Sequence, residues 1–593
     1  MGVFKTISHK VDFCVVGGGL SGLCAAVEAA RRGIKVALMQ DRPMLGGNAS
    51  SEMRMWVMGA SGDCYNVKNV LETGIIEELQ LNNFYRNPYK NYSIWDTIMW
   101  EIAMQEKNIT LILNCSCMDA EMEDKRIISV TGWQTTTQMY HTVYSRLFAD
   151  CSGDSVLAPL SGAEYRVGHE ARTEFNEDIA PLHADRKTMG MSILIQARET
   201  TSPKTYIPPL WAEKYTKEML PYRLPSFKKA GGENFWYLEL GGVRDSIADT
   251  EDLRDELLAV AYGMWDYVKN APENKEANAN FDIDWIGFLP SKRESRRYVG
   301  DHVLNQNDVE SCGKFDDIVA YGGWPMDDHH PEGFRTAEKP TIFHPAPSPF
   351  GIPYRCLYSK NVENLFCAGR NISVTHVALS STRDMNTCCI IGQAVGAAAA
   401  VATKHGEKPR GVYKNYIKEL QQVLMEDDCW LPGLKRQASK LTMEASLKTS
   451  KGNADVLRNG NDRPIDNEDN GLLFKIGEYA EYSFNNPRLV HRVRFVFDSD
   501  LNRETQLEGV LYRRPMYATY YLNTLATYVP KTMTKDFRLT LTLSDGKQKV
   551  LEITGNHQRL VYTDINVEIK SIKFEPLSTW GNTEAHVFSF ELE

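Results

Sequence analysis

The sequence predicts an α/β protein: a Rossmann-like nucleotide-binding domain split by an inserted α+β substrate domain, followed by an all-β sandwich. Three observations predict it. Val11–Asp41 reads as strand, glycine turn, Ala-rich helix and second strand. A buried strand at Asn364–Arg370 then leads, far downstream, into a long apolar helix. After about Ala438 the chain changes to short strands of alternating polarity.

Gly17, Gly19 and Gly22 stand at the G-x-G-x-x-G positions. The first allows a tight turn, the second lets the backbone approach a pyrophosphate, and the third brings helix and strand close. With 42 glycines in 593 residues, three fixed glycines match by chance about 0.2 times per chain. The flanking strand and helix therefore carry the reading; the alternative is a packing turn without a ligand. Arg31 and Arg32 suit the last helical turn and Gly33 a left-handed cap. At the end of the second strand, where an acidic ribose ligand belongs, stand Gln40 and Asp41.

Further strands of this sheet are expected at Thr110–Leu113, Ser129–Trp133 and Arg146–Asp150, with Glu123–Arg126 as a hairpin turn. The insert should contain strands at Met191–Gln196 and Trp236–Leu240 and an amphipathic helix at Glu251–Asn270. Helices follow at Cys388–Val401, where Gly392 and Gly396 permit close approach, and at Tyr413–Met425. The expected division is residues 1–165 and 341–437 for the split nucleotide domain, 166–340 for the substrate domain and 438–593 for the sandwich. Strands of the last are expected at Tyr479–Phe484, Val490–Phe497, Phe537–Leu543, Lys549–Ile553, Val567–Phe574 and Ala585–Leu592, with a hairpin turn at Ser544–Lys547.

Bulk composition narrows the class. Hydrophobic residues make up 42% and charged residues 24%, as in ordinary globular proteins. A net charge of -10 argues against a nucleic-acid partner. The 12 cysteines include no C-x-x-C pair, and Asp327-Asp328-His329-His330 reads as a polar loop, so no metal is expected. The longest apolar run, Ile390–Ala402, is too short to span a bilayer and carries Gln393, so it reads as a buried helix without membrane insertion. No charged-then-apolar leader precedes the first strand, so the expected compartment is the cytoplasm, or the periplasm if a leader was removed.

Several segments together carry a family resemblance. They are the glycine turn, LGGNASSEMRMW at Leu45–Trp56, ADCSGD at Ala149–Asp154 and the stretch Ala368–Ala400. The segments at Lys292–Val309 and Gly322–Gly333 join them. In combination they resemble the FAD-dependent oxidoreductase family, a flavoprotein of the fumarate reductase and glutathione reductase type, over about residues 11–425. The resemblance implies FAD, with Gly17, Gly19 and Gly22 at the pyrophosphate and Gln40 or Asp41 at the ribose. Gly47, Asn48, Ser50 and Ser51 would run beside the flavin, and Gly153, Asp154, Gly369 and Arg370 would stand near the cofactor. The helix carrying Gln393 and Gly396 would aim its positive dipole at the flavin. Arg54, Arg293, Arg297, His329 and His376 are the catalytic candidates, because a base, an acid or a carboxylate-binding arginine is needed beside a flavin. For Arg293, Arg297 and His376 an ion pair or a hydrogen-bonded core position is an equal alternative. Trp236-Tyr237 is expected as strand core.

The C-terminal sandwich is similar to galactose-binding-like domains through ADVLRNGNDRP at Ala454–Pro464. The expected function is hydride transfer between flavin N5 and a small organic substrate, with a carbohydrate-derived molecule preferred and an unidentified electron acceptor or donor as partner. The alternatives are a flavin monooxygenase, a flavin used for a non-redox reaction, and a carbohydrate-binding protein whose nucleotide fold is vestigial.

Overall fold

In the computed structural model, which describes residues 4–60, 70–226, 233–500, 514–517, 522 and 526–593, the first strand organises a seven-stranded sheet. This strand, β1 (Thr6–Val16), runs parallel to β2 (Val36–Met39), which in turn pairs in parallel with β3 (Ile109–Ile112). Phe13–Val16 and all of β2 are buried on both faces, which is why they read as continuous apolar runs. On its other side β1 pairs in parallel with β6 (Met139–Asp150). The antiparallel meander of β4 (Cys115–Glu123) and β5 (Arg126–Gln134) extends from the first half of β6. The returning strand Leu365–Cys367 pairs in parallel with Phe148–Asp150. It thus delivers residues 368–370 beside residues 151–154, at the carboxyl ends of the strands, where ligands bind in such sheets.

One helix packs on this sheet and a second on that helix, both almost without side-chain spacing. Leu20–Arg31 starts where β1 turns, and a Cβ at Gly22 would lie 1.8 Å from the Gly17 carbonyl oxygen. Helix Met385–His405 lies against it through Gly392 and Gly396, whose added Cβ atoms would meet the Ser21 and Ala25 carbonyls at 2.0 and 2.4 Å. Among the described residues this helix passes the length and hydropathy test for crossing a membrane, and it is buried as core.

The chain divides into two compact units. The first comprises residues 1–70, 89–421 and 506–526; the second comprises 71–88, 422–505 and 527–593. Within the first, three expectations need correction. Met191–Gln196 is two strands, Met191–Ser192 and Ile195–Glu199, with different partners. Only Glu239–Leu240 of the Trp236–Leu240 segment is strand, because Phe235 at φ 59° bends the chain ahead of it. Asp327–His329 is not a loop: Met326–His329 is a strand antiparallel to Thr341–His344.

The second unit is an all-antiparallel β-sandwich, with helix Ile75–Arg86 within it. The two strands expected around residues 479–497 are one, Ala480–Phe497, with register shifts between Ser483/Arg488 and Val490/Arg492. In the ladder Phe495 faces Val561 of strand Leu560–Thr579, yet its ring lies 5.0 Å from that of Phe574, much further along the same strand. Long strands therefore fold over and contribute to both layers of a phenylalanine core completed by Phe537 and Phe590.

Candidate active site

The glycine turn and the loops beside it form a backbone cradle. Gly17 has φ 101°, and a Cβ there would lie 2.4 Å from Ser152 N, so no other residue fits. Gly46 donates its N–H to the Gly18 carbonyl at 2.8 Å, bringing the 46–48 loop alongside. Helix Leu20–Arg31 has no side-chain cap at Gly19. The buried Ser21 hydroxyl has no hydrogen-bond partner among the described residues. An uncapped helix N-terminus with an unused hydroxyl is suited to an anion.

The cradle opens into a cavity of about 1070 Å³. Gln40, Asp41, Arg42, Cys115 and Cys117 line one part of it, and Asp154, Lys292 and Arg370 another. Trp236, Arg293, Trp324, Asp327, His329 and Arg383 line a third. Gln40 accepts from Gly18 N–H at 2.7 Å and donates to the Met44 carbonyl at 3.2 Å, so both ends of its amide brace the loop. Burial raises the pKa of the Asp41 carboxyl, against the pull of Arg42 and of its own backbone N–H. Asp154 receives Lys292 and Arg370, each at 2.9 Å, and the Ser295 hydroxyl at 2.7 Å. Burial alone would raise its pKa; the two cations hold it at about 2.

The third part is a buried ionic network. His329 Nδ1 lies 2.6 Å from Glu239, and its Nε2 lies 3.3 Å from Asp327. Arg293 faces Glu239 at 3.4 Å and donates to the Ser192 hydroxyl at 2.9 Å and the Trp236 carbonyl at 3.0 Å. Arg383 pairs with Asp327 at 3.0 Å. Burial works to raise the Glu239 carboxyl, yet Arg293 and His329 hold it below its usual range. Arg293 itself is pushed down, by burial and by the charge of Arg383, against the pull of Glu239.

Among the predicted site residues, Gly17, Gly19, Gln40, Asp41, Gly47, Asn48, Gly153, Asp154, Arg293, His329, Gly369 and Arg370 line the cavity. The others do not, and each has another partner. Gly22 meets the Gly17 carbonyl, Ser50 accepts from Glu52 N–H at 3.4 Å, and Ser51 N–H donates to Asp96 at 3.0 Å. Arg54 is held between Tyr92 and Trp285 and donates to Gln196 at 2.6 Å. Arg297 is buried between Glu170 and Glu294. His376 is buried between Glu294 at 2.8 Å and Asp328 at 3.1 Å; burial would lower its pKa, but these carboxylates raise it to about 10.

Gln393 and Gly396 lie beyond the first turn of their helix and do not reach the cavity. The helix begins at Met385, so it presents Asp384, Met385 and Cys388 to the cavity, while Gln393 donates to Glu28 at 3.0 Å. Trp236, expected in the core, lines the cavity instead. Asp327 and Arg383 went unassigned. The alternation of Met326–His329 could have found the first, since it places Asp327 on the face of His329. Arg383 lies in the family-like stretch after Ala368 and could have been found there.

A family profile described as FAD dependent oxidoreductase matches residues 12–424. No curated protein matches the sequence. Similar solved structures include a geranylgeranyl bacteriochlorophyll reductase-like protein from Thermoplasma acidophilum (11% identity, 71% of this chain and 86% of that one, TM-score 0.33). A flavin-dependent brominase, Bmp2, has the same identity, coverage and TM-score. A family 32 carbohydrate-binding module from Streptococcus pneumoniae EndoD matches 26% of this chain and 99% of its own at 13% identity and TM-score 0.19.

Proposed function

Because the chain belongs to the FAD-dependent oxidoreductase family, whose cofactor is FAD, we propose that it oxidises or reduces a small hydroxylated substrate by hydride transfer, a carbohydrate-derived molecule or hydroxy acid being preferred. The residues fit the cofactor: backbone packs so closely at Gly17 and Gly22 that neither admits a Cβ, Gly19 leaves open space at the turn, and beside them stand an uncapped helix and the unpartnered Ser21 hydroxyl. Gly17, Gly19 and Ser21 would hold the pyrophosphate, Asp41 the ribose, and Asn48 and Arg370 the remainder. FAD, when bound, supplies the hydride acceptor or donor.

The single observation that carries the reading is the network facing the same cavity. With Nδ1 held by Glu239 at 2.6 Å and Nε2 facing the cavity-lining Asp327 at 3.3 Å, His329 would exchange its longer Asp327 contact for the substrate hydroxyl and take or give that proton through Nε2. Arg293 and Arg383 supply positive charge for a carboxylate or polarised oxygen. Trp236 and Trp324 offer flat apolar faces to a ring and exclude water. The return half-reaction requires a separate electron acceptor or donor.

The test begins with the visible spectrum of the purified protein and acid release of its chromophore. Released FAD, bleached anaerobically by a sugar or hydroxy acid, is the expected result. His329→Gln should keep its FAD and be reduced about 10²–10⁴-fold more slowly. A colourless protein that FAD cannot reconstitute overturns the redox reading; an unchanged reduction rate removes His329 from the proton path.

A further inference from the structure

Strand Met326–His329 turns Asp327 and His329 to the cavity and Asp328 to its opposite face. There Asp328 meets two imidazoles. His376 Nε2 lies 3.1 Å from Asp328, and the His169 ring stands 3.9 Å from the His376 ring at 57°. One ligand atom from each of the three lies within 4.8 Å of the other two, and none of the three residues lines the cavity.

We propose that His169, Asp328 and His376 bind one divalent transition-metal cation of the Zn²⁺ or Fe²⁺ class, at a site separate from the flavin cavity. Two imidazole nitrogens and one carboxylate oxygen form a donor set for such ions, with the remaining positions open to water. Ligands on one ion with bonds of about 2.0–2.1 Å sit roughly 3–3.5 Å apart, and the Asp328–His376 contact of 3.1 Å already has that spacing.

The surroundings supply the second requirement of a metal site, carboxylates that fix each ring. His169 Nδ1 is held by Asp185 at 2.7 Å and His376 Nδ1 by Glu294 at 2.8 Å. The His376 ring is therefore oriented through the nitrogen away from Asp328, and the His169 ring through Nδ1, the outer-shell arrangement of histidine ligands. His169 Nε2 has no hydrogen-bond partner among the described residues. The side chains of His169 and Asp328 are 12% and 29% exposed, so an ion has a way in. A cation here would tie the 168–169 turn, the start of helix His376–Thr382 and the strand that carries Asp327 and His329. It would thereby brace the cavity from behind.

The test is calorimetric titration of chelator-treated holoprotein with Zn²⁺, with elemental analysis after dialysis. One Zn²⁺ per chain is expected. His169→Ala and Asp328→Asn should each abolish it while retaining FAD and the circular dichroism of the parent. Asp185→Asn should weaken it about 10-fold or more through loss of ring orientation, and His330→Ala, one residue beyond the strand, should leave it unchanged. Absence of stoichiometric Zn²⁺ in the parent overturns the site. So does undiminished binding in His169→Ala, which keeps Asp328 and its strand intact should Asp328→Asn fail to fold. Because the readout is metal content, failure here is separate from failure of the redox assignment.

Discussion

Buried arginines occur in both units, and Arg293 in the first is in the opposite electrostatic situation to Arg494 and Arg559 in the second. In the sandwich unit Arg494 reaches Asp462 at 2.9 Å and the Glu426 carbonyl at 2.9 Å, and Arg559 reaches Asp428 at 2.7 Å. Burial would lower both guanidinium pKa values, but the neighbouring carboxylates raise them above the ordinary value. Arg293 in the first unit is equally enclosed, yet its pKa falls, because Arg383 adds to the burial penalty and Glu239 only partly offsets it. In one set the carboxylates outweigh the burial of the guanidinium; in the other the burial of Arg293, at the wall of a cavity, is only partly offset. The difference teaches that burial of an arginine says little by itself. A guanidinium whose burial is only partly offset and that faces open volume marks the chemistry, and one fully offset, or saturated, by carboxylates marks structure.

The largest expected effect breaks the saturated set. Arg559→Met leaves the buried Asp428 carboxylate without its partner, a loss of about 3–5 kcal/mol. The midpoint of the affected unfolding transition should fall by roughly 10 °C, while FAD content per chain and the rate of flavin reduction stay as in the parent. Differential scanning calorimetry together with the visible spectrum checks both. A loss of flavin instead of a shifted midpoint would erase the distinction between the two sets.

Much of this architecture was legible in the sequence, and the reason is local. Phe13–Val16, Val36–Met39 and the Gly17–Gly22 turn report their burial through composition alone. So do the alternating strands of the sandwich, whose bulges merely joined two expected strands into Ala480–Phe497. The site was less legible because its members are set by register and by distant partners. Asp327 and His329 face the cavity only because residues 326–329 pair with 341–344. Helix Met385–His405 meets the cavity at its first turn, with Asp384, Met385 and Cys388, while Gln393 and Gly396 lie further along and pack on other residues. Glu239 finds His329 across 90 residues. Helix Ile75–Arg86, which mixes apolar and polar residues, gives no sign of its place in the second unit.

A smaller effect comes from a titrating group in the sandwich. His586 lies 3.1 Å from Asp498 and 3.2 Å from Asp469. Burial would lower its pKa, but the two carboxylates raise it to about 9. A folded-state pKa above the unfolded value of about 6.5 gives stability that is complete below pH ~6.5 and lost as pH rises through ~9. With Asp469 exposed to solvent the contribution is on the order of 1 kcal/mol. The parent should therefore lose more of its melting temperature between pH 6.5 and 9.5 than His586→Gln does. Equal slopes would mean the imidazolium is not part of the saturated set.

The finest distinction lies between two adjacent side chains at the cavity wall. Gln40 spends its amide on Gly18 and Met44, at 2.7 and 3.2 Å, so it serves the loop. Asp41 reaches only its own backbone N–H and the neighbouring Arg42 charge, and faces the same volume. A charge-assisted hydrogen bond to a ligand hydroxyl is worth about 1.5–3 kcal/mol, or roughly 10-fold or more in affinity. Asp41→Ala should thus weaken FAD about 10-fold without moving the melting temperature of the apoprotein. Gln40→Met, which strips the Gly18 N–H of its acceptor, should lower that temperature first and FAD affinity only as a consequence. Titration of the two apoproteins with FAD, beside their melting curves, separates the outcomes. The reverse pattern would transfer the ribose contact to Gln40 and leave Asp41 as a solvated carboxylate.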